Sequence, residues 1–164
     1  MNNIDECGLT VYENSGWGVV HIIWDRHSKE VLGAIETVHQ QNGWEVYRVA
    51  AKDGYGPWLY INAISTHENL CPNQEEGKVS QAASEVWQYF YDDGMESDEL
   101  RDSPHEEEWL RRTYRNDHTI VNYETELAEA ALASLNLSDE EETEIKQKAE
   151  ELLDEAIDKV YHEL

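Results

Sequence analysis

The residues best placed to do chemistry lie between Ala51 and Leu59, where a strand-like run gives way to Gly54-Tyr55-Gly56-Pro57 and then to an apolar stretch. A strand, a G-x-G turn and a helix set several backbone N–H groups at a helix N-terminus, where unpaired donors and the helix dipole both favour an anion. Gly54 permits φ > 0, and Gly56 permits close approach to the backbone. The same spacing also describes a plain tight turn, and both readings stand at this point. His67 and Cys71 are spaced as two metal ligands could be, yet no second pair stands at zinc spacing. A helix-end histidine and a buried thiol explain them, and no metal is expected. Neither Cys7 nor Cys71 sits in a nucleophile context, so covalent catalysis has no support. Arg111, Arg112 and Arg115 could grip an anion, but they alternate with acidic runs as a solvated helix does.

These groups need elements to hold them. Trp17 to Trp24, Val31 to Val38 and Trp44 to Ala50 are rich in β-branched and aromatic residues, and short polar turns join them. Three such strands imply an antiparallel meander. Pro57 fits the first turn of a helix running to His67, with Trp58, Leu59, Ile61, Ala63 and Ile64 on its buried face. Leu70-Cys71-Pro72 is a short fourth strand candidate. Ser80 caps a helix to about Tyr91, with Ala82, Ala83, Val86, Trp87 and Phe90 on one side and Gly94 closing its end. Residues 95–122 give no clear pattern. A helix covers roughly Tyr123 to Leu135, and another opens at Ser138 with Glu141 completing a capping box. Its stripe, Ile145, Ala149, Leu152, Leu153, Ala156, Ile157, Val160 and Leu164, must be buried on its own domain or on another chain.

The chain has 164 residues, with 36 acidic and 12 basic side chains and a formal net charge of −24. A surface so acidic argues against direct nucleic-acid binding through phosphates. Six Trp and nine Tyr argue for a folded interior rather than a disordered polymer. No apolar run is long enough to span a membrane, and Met1 to Glu6 lacks the features of a secretion signal. Two cysteines fit a reducing cytosol. The charge is uneven: residues 1–91 carry a net −7 and residues 92–164 a net −17. The expected organisation is a core over 1–95, an irregular connector over 96–122 and an acidic helical extension over 123–164.

The order of these elements resembles the GNAT superfamily of N-acetyltransferases. In that fold an antiparallel meander leads into a Gly-rich loop that cradles the pyrophosphate of acetyl-CoA, and a strand and a tyrosine-bearing helix follow. GYGPWLY at Gly54–Tyr60 and VWQYF at Val86–Phe90 are similar to segments of GNAT-like proteins encoded by phages, and Asn122-Tyr123 adds a weaker match. The resemblance spans roughly residues 17–95 and extends toward 125. It implies an α+β fold with a mostly antiparallel sheet, flanked by helices and followed by the acidic extension. It also implies an acyltransferase that moves an acyl group from acetyl-CoA or a related acyl-CoA to an amine. Backbone amides of Lys52, Asp53, Gly54, Tyr55 and Gly56 would hold the pyrophosphate, and Val49-Ala50 would pair with the pantetheine arm. Tyr89, or else Tyr91, would protonate the departing thiolate, and Glu45 would be the general base. Amides near Ala50 would stabilise the oxyanion.

The chain departs from the family pattern at Ala51, where the family carries Gln or Arg. The nearest cation, Lys52, comes one position later and is followed by Asp53. The 16 residues before Trp17 are too few for the strand and two helices that usually wall the acceptor pocket. Two further functions remain alongside acyl transfer. One is an acidic decoy that presents carboxylates to a basic host defence protein, such as a restriction factor. The other is a virion accessory protein that keeps the scaffold without the chemistry, its C-terminal helices docking on a phage assembly. The expected location is the host cytoplasm or the virion.

Overall fold

The computed structural model describes residues 1–14 and 17–163, with no side chain described at 118 or from 157 onward. The fold is α+β. Four strands form an antiparallel meander: β1 (Cys7–Glu13), β2 (Gly18–Asp25), β3 (Val31–Gln40) and β4 (Gly43–Ala51). Helix α1 (Gly56–His67) follows, then the two-residue strand β5 (Asn69–Leu70) and helix α2 (Gln81–Asp92). Strands β6 (Ser97–Glu99) and β7 (Arg112–Arg115) join β5 in a second sheet of order β5-β7-β6. Helices α3 (His118–Val121), α4 (Glu124–Ala133) and α5 (Asp139–Glu163) complete the chain.

β2 and β3 are apolar along most of their length because both faces of the sheet are covered. Alternate side chains divide between two cores. Ile23, Ile35 and Val46 face α1 and α2, where they meet Leu59, Ile64, Trp87 and Phe90. Val20, Ile22, Trp24 and Ala34 face the other way, onto Ile145, Ala149 and Leu153 of α5. The C-terminal stripe is therefore buried on its own sheet as far as Leu153. The side chains of Ile157 and Val160 are not described, and Leu164 lies outside the described residues. The capping box forms as its spacing requires: the Glu141 N–H donates to Ser138 Oγ at 3.1 Å, and the Ser138 N–H to Glu141 Oε1 at 3.0 Å.

Three strands were expected in the meander and four are present. β1 occupies the stretch read as too short for the strand and two helices of an acceptor-pocket wall, and it pairs with β2 along its whole length, from Cys7 opposite Asp25 to Glu13 opposite Val19. Thr10, Val11 and Tyr12 favour a strand, and the position of that strand depends on Trp24. The Trp24 ring lies across Gly8, where an added Cβ would stand 2.2 Å from Cζ2, and the Trp24 indole N–H donates to Thr10 Oγ1 at 3.0 Å. Helix α4 then covers β1 by sending Leu127 and Ala130 into the first core. The stretch 95–122 holds β6, β7 and α3. Arg111, Arg112 and Arg115 lie in and beside β7 rather than on a helix, paired with Glu99, Glu108, Glu96 and Asp98.

Candidate functional site: a cleft beside the fourth strand

β4 carries one extra residue. Glu36 pairs with Arg48 and Thr37 with Val46, so Tyr47 bulges out of the ladder. On its outer edge β4 meets the residue after β5 in parallel through one bridge, Glu45 opposite Cys71. There the Cys71 N–H donates to the Trp44 carbonyl at 2.9 Å and the Val46 N–H to the Cys71 carbonyl at 3.1 Å. Beyond that bridge the two segments separate. The gap is a cleft of about 140 Å³, bounded by Val46–Val49 on one side and by Asn73, Glu75 and Lys78–Ser80 on the other. Tyr60 of α1, Ala83 and Trp87 of α2 and Ala156 of α5 close it. The C-terminal helix thus contributes a wall to the cleft through Ala156.

Glu45 lies in the bridge just before the cleft opens and is not among the residues that line it. Its Oε1 accepts the Gln74 N–H at 2.5 Å, and burial pushes its carboxyl above the ordinary value, with the neighbouring Glu75 charge adding to the rise. Gln74 is itself fixed, since its side-chain amide donates to the carbonyls of Pro72 at 2.9 Å and Leu110 at 3.1 Å and accepts from the Ser103 hydroxyl at 2.5 Å.

The other residues singled out in the sequence are dispersed. Val49 lines the cleft, while Ala50 lies one residue on, opposite Ala34 in the ladder. The Gly54 turn follows β4 directly. Gly54 has φ +88°, and a Cβ there would stand 2.4 Å from Asn2. Asn2 grips the carbonyl side of this turn: its backbone N–H donates to the Gly54 carbonyl and its side-chain amide to that of Asp53. The Lys52 N–H is spent on the Leu32 carbonyl and the Tyr55 N–H on that of Lys52. Asp53, Gly54 and Gly56 are left as the amides an anion could draw on, and the Lys52 ammonium is paired with Glu30. A Cβ at Gly56 would meet only Ala51 Cβ within 4 Å, at 3.8 Å, so that side of the turn has room.

Tyr89 is 54% exposed on the side of α2 away from Ala83 and Trp87, and Tyr91 lies under the Arg112 guanidinium. Among the described residues that wall the cleft, the aromatic side chains are Tyr47, Tyr60 and Trp87. Tyr60 was passed over in the sequence although it ends the GYGPWLY segment. The helical phase of α2 held the signal: if Trp87 faces inward, Tyr89 two residues later faces out.

Arg48, next to the bulge, ties the cleft to α5. Its side chain is 8% exposed and donates to Glu36 at 2.7 Å, Glu150 at 2.8 Å and Asp154 at 2.6 Å. Tyr12 adds a hydrogen bond to Glu150 at 2.8 Å, and Asn14 one to Glu36 at 2.6 Å. The His67 ring stacks on Trp44 at 3.7 Å and meets His21, while Cys71 is buried with its thiol ionisation pushed up by that burial. Among the described residues no three His, Cys, Asp or Glu side chains converge as a metal would require, and no helix is long and apolar enough to cross a membrane.

Comparison with protein-family models, with curated proteins and with solved structures finds no match to this chain.

Proposed function

We propose that the chain is a GNAT-like acyltransferase, of the kind phages encode, that transfers an acyl group from acyl-CoA to an amine. One observation carries this reading: past the Glu45–Cys71 bridge, β4 bulges at Tyr47 and parts from the chain after β5, opening a cleft along Val46–Val49, in the strand that runs on to the Gly54 turn. A thioester lying along Val46–Val49 would have its carbonyl beside strand-edge backbone and its phosphates toward the amides of Asp53, Gly54 and Gly56. The order of elements, a meander, a G-x-G turn, a helix, a short strand and a second helix, supports the resemblance seen in the sequence. Glu45 would be the base, as the resemblance implies: Gln74 holds it at the bridge where the cleft begins, and burial raises its carboxyl above the ordinary value.

The test is thermal unfolding of the full chain with acetyl-CoA. At a hundredfold excess over Kd, binding should raise Tm by about 5–10 °C. Ala83→Trp fills the cleft from α2 and should remove the shift while leaving the protein folded. No shift in the unaltered chain defeats the proposal.

A second reading, a scaffold without chemistry that serves as an acidic decoy or a virion accessory protein, rests on the outward carboxylates of α4 and α5. Glu124, Glu129, Glu140, Glu144, Glu151 and Glu155 are all exposed. It predicts no response to acetyl-CoA but salt-sensitive binding to basic proteins, lost when these positions are changed to Gln.

A further inference from the structure

A second hollow, of about 300 Å³, lies at one end of the meander and shares no lining residue with the cleft. Glu13, Asn14, Trp17, Gly18, Val19 and Trp44 line it. The ladder explains why they meet. Glu13 stands opposite Val19, Gly18 opposite Val38 and His39 opposite Trp44. Trp17, one residue before β2, therefore reaches the row that Trp44 occupies on β4. Its indole is 73% exposed, and Asn14 is held beside it by donating to Glu36 at 2.6 Å.

The surroundings of the hollow have one electrostatic sign. Glu13 is exposed, and no basic side chain is among the lining residues. α1 ends at His67, whose ring stacks on Trp44 at 3.7 Å, so the negative end of the helix dipole lies behind that indole. Burial lowers His67 to about 4, which leaves it uncharged in the neutral range. His39 meets Trp44 edge-on and does not line the hollow. Indole faces attract cations through the ring quadrupole. We propose that this hollow binds a methylated ammonium group, packed against Trp17 and Trp44 with the Glu13 carboxylate as its counter-charge. A primary ammonium is strongly hydrated and has three N–H donors to satisfy, whereas Glu13 is the one charged acceptor on the wall. A quaternary head donates nothing and spreads its charge over methyl groups that pack on aromatic surface. Such a head comes on a small molecule such as choline or on a trimethyllysine side chain. The site does not depend on the acyl transfer proposed above.

The experiment follows the indole N–H signals of the full chain by NMR during titration with choline. Neohexyl alcohol, the uncharged carbon analogue of choline, methylammonium and a trimethyllysine peptide are titrated alongside. Choline should move the Trp17 and Trp44 signals and leave that of Trp87, in the cleft, in place. The alcohol should bind at least about fivefold more weakly. Trp17 is exposed, so Trp17→Ala should keep the fold and weaken choline binding about fivefold, while Trp17→Phe should lose less. Glu13→Gln should weaken binding and reduce its dependence on salt. Equal affinity for choline and the peptide assigns the site to the head group alone, and tighter binding of the peptide assigns it to a methylated side chain. Equal binding of the alcohol or of methylammonium overturns the proposal. So do indole signals that stay fixed at tens of millimolar choline.

Discussion

The Nε2 atoms of His21 and His67 lie 3.4 Å apart, where the end of α1 meets the sheet. The Asn62 side chain contacts His21 Nδ1 at 2.7 Å, and the Thr37 hydroxyl contacts His67 Nε2 at 2.9 Å. If the Asn62 amide nitrogen is the donor, His21 carries its proton on Nε2 and gives it to an unprotonated His67 Nε2. Both rings are then neutral, and a second proton would set N–H against N–H. Burial lowers His21 to about 3 and His67 to about 4.

The sign of the pH effect follows. In the unfolded chain both rings take up protons as pH falls through about 6.5, whereas the folded protein refuses them until pH 3–4. Stability is fully present above that window and is lost as pH drops through it. For the fully enclosed His21 the slope approaches about 1.4 kcal/mol per pH unit, and half-buried His67 adds less. Urea denaturation at pH 7.5 and 5.0 should show the loss, and His21→Leu should flatten it. An unchanged pH dependence in that variant would exclude the histidine pair as its source.

Arg48 predicts an asymmetry among its three partners. Arg48→Met leaves the Glu36 carboxylate, 6% exposed, without its cation and should cost about 3–5 kcal/mol. Asp154→Asn removes a partner that is 72% exposed and should cost under about 1 kcal/mol. Equal losses in chemical denaturation would mean that burial does not govern this cluster.

Gly8→Ala should destabilise the protein by about 1–3 kcal/mol, because the new methyl enters the Trp24 ring and one of them must move. Near-UV circular dichroism should report a changed Trp24 environment in the same variant. Retained stability would show that β1 can shift away from the ring at no cost.

Ionic strength should separate donor from acceptor. The protein carries −24 and the phosphates of acyl-CoA are also anionic, so screening should tighten acetyl-CoA binding as salt rises. A cationic amine such as spermidine should show the opposite trend in KM. Calorimetry at 20 and 300 mM salt tests the first, and weaker acetyl-CoA binding at the higher salt would contradict it.

What the sequence disclosed was what short-range chemistry decides. The Ser138–Glu141 box, the Ser80 cap and Pro57 in the first turn of α1 each depend on residues a few positions apart, and each is in place. β1 was missed although Thr10, Val11 and Tyr12 favour a strand; what no local pattern records is its pairing with β2 and its passage under Trp24. β7 was missed because its partner β5 lies more than forty residues earlier. At the cleft, the turn that could face an anion was visible. Which aromatic rings line the cleft was not, because that depends on how α1 and α2 pack across β4.

The unpaired edge of β4 has a consequence beyond binding. α4 covers β1 at one side of the meander, whereas β4 beyond Val46 has only the cleft beside it. An open strand edge is the usual template for one chain to add to another as a growing fibril. Here the walls contributed by α2 and α5 keep foreign strands out while leaving space for something slender. A ligand in that space would act as a removable edge guard, so the empty protein should be the form more prone to aggregate.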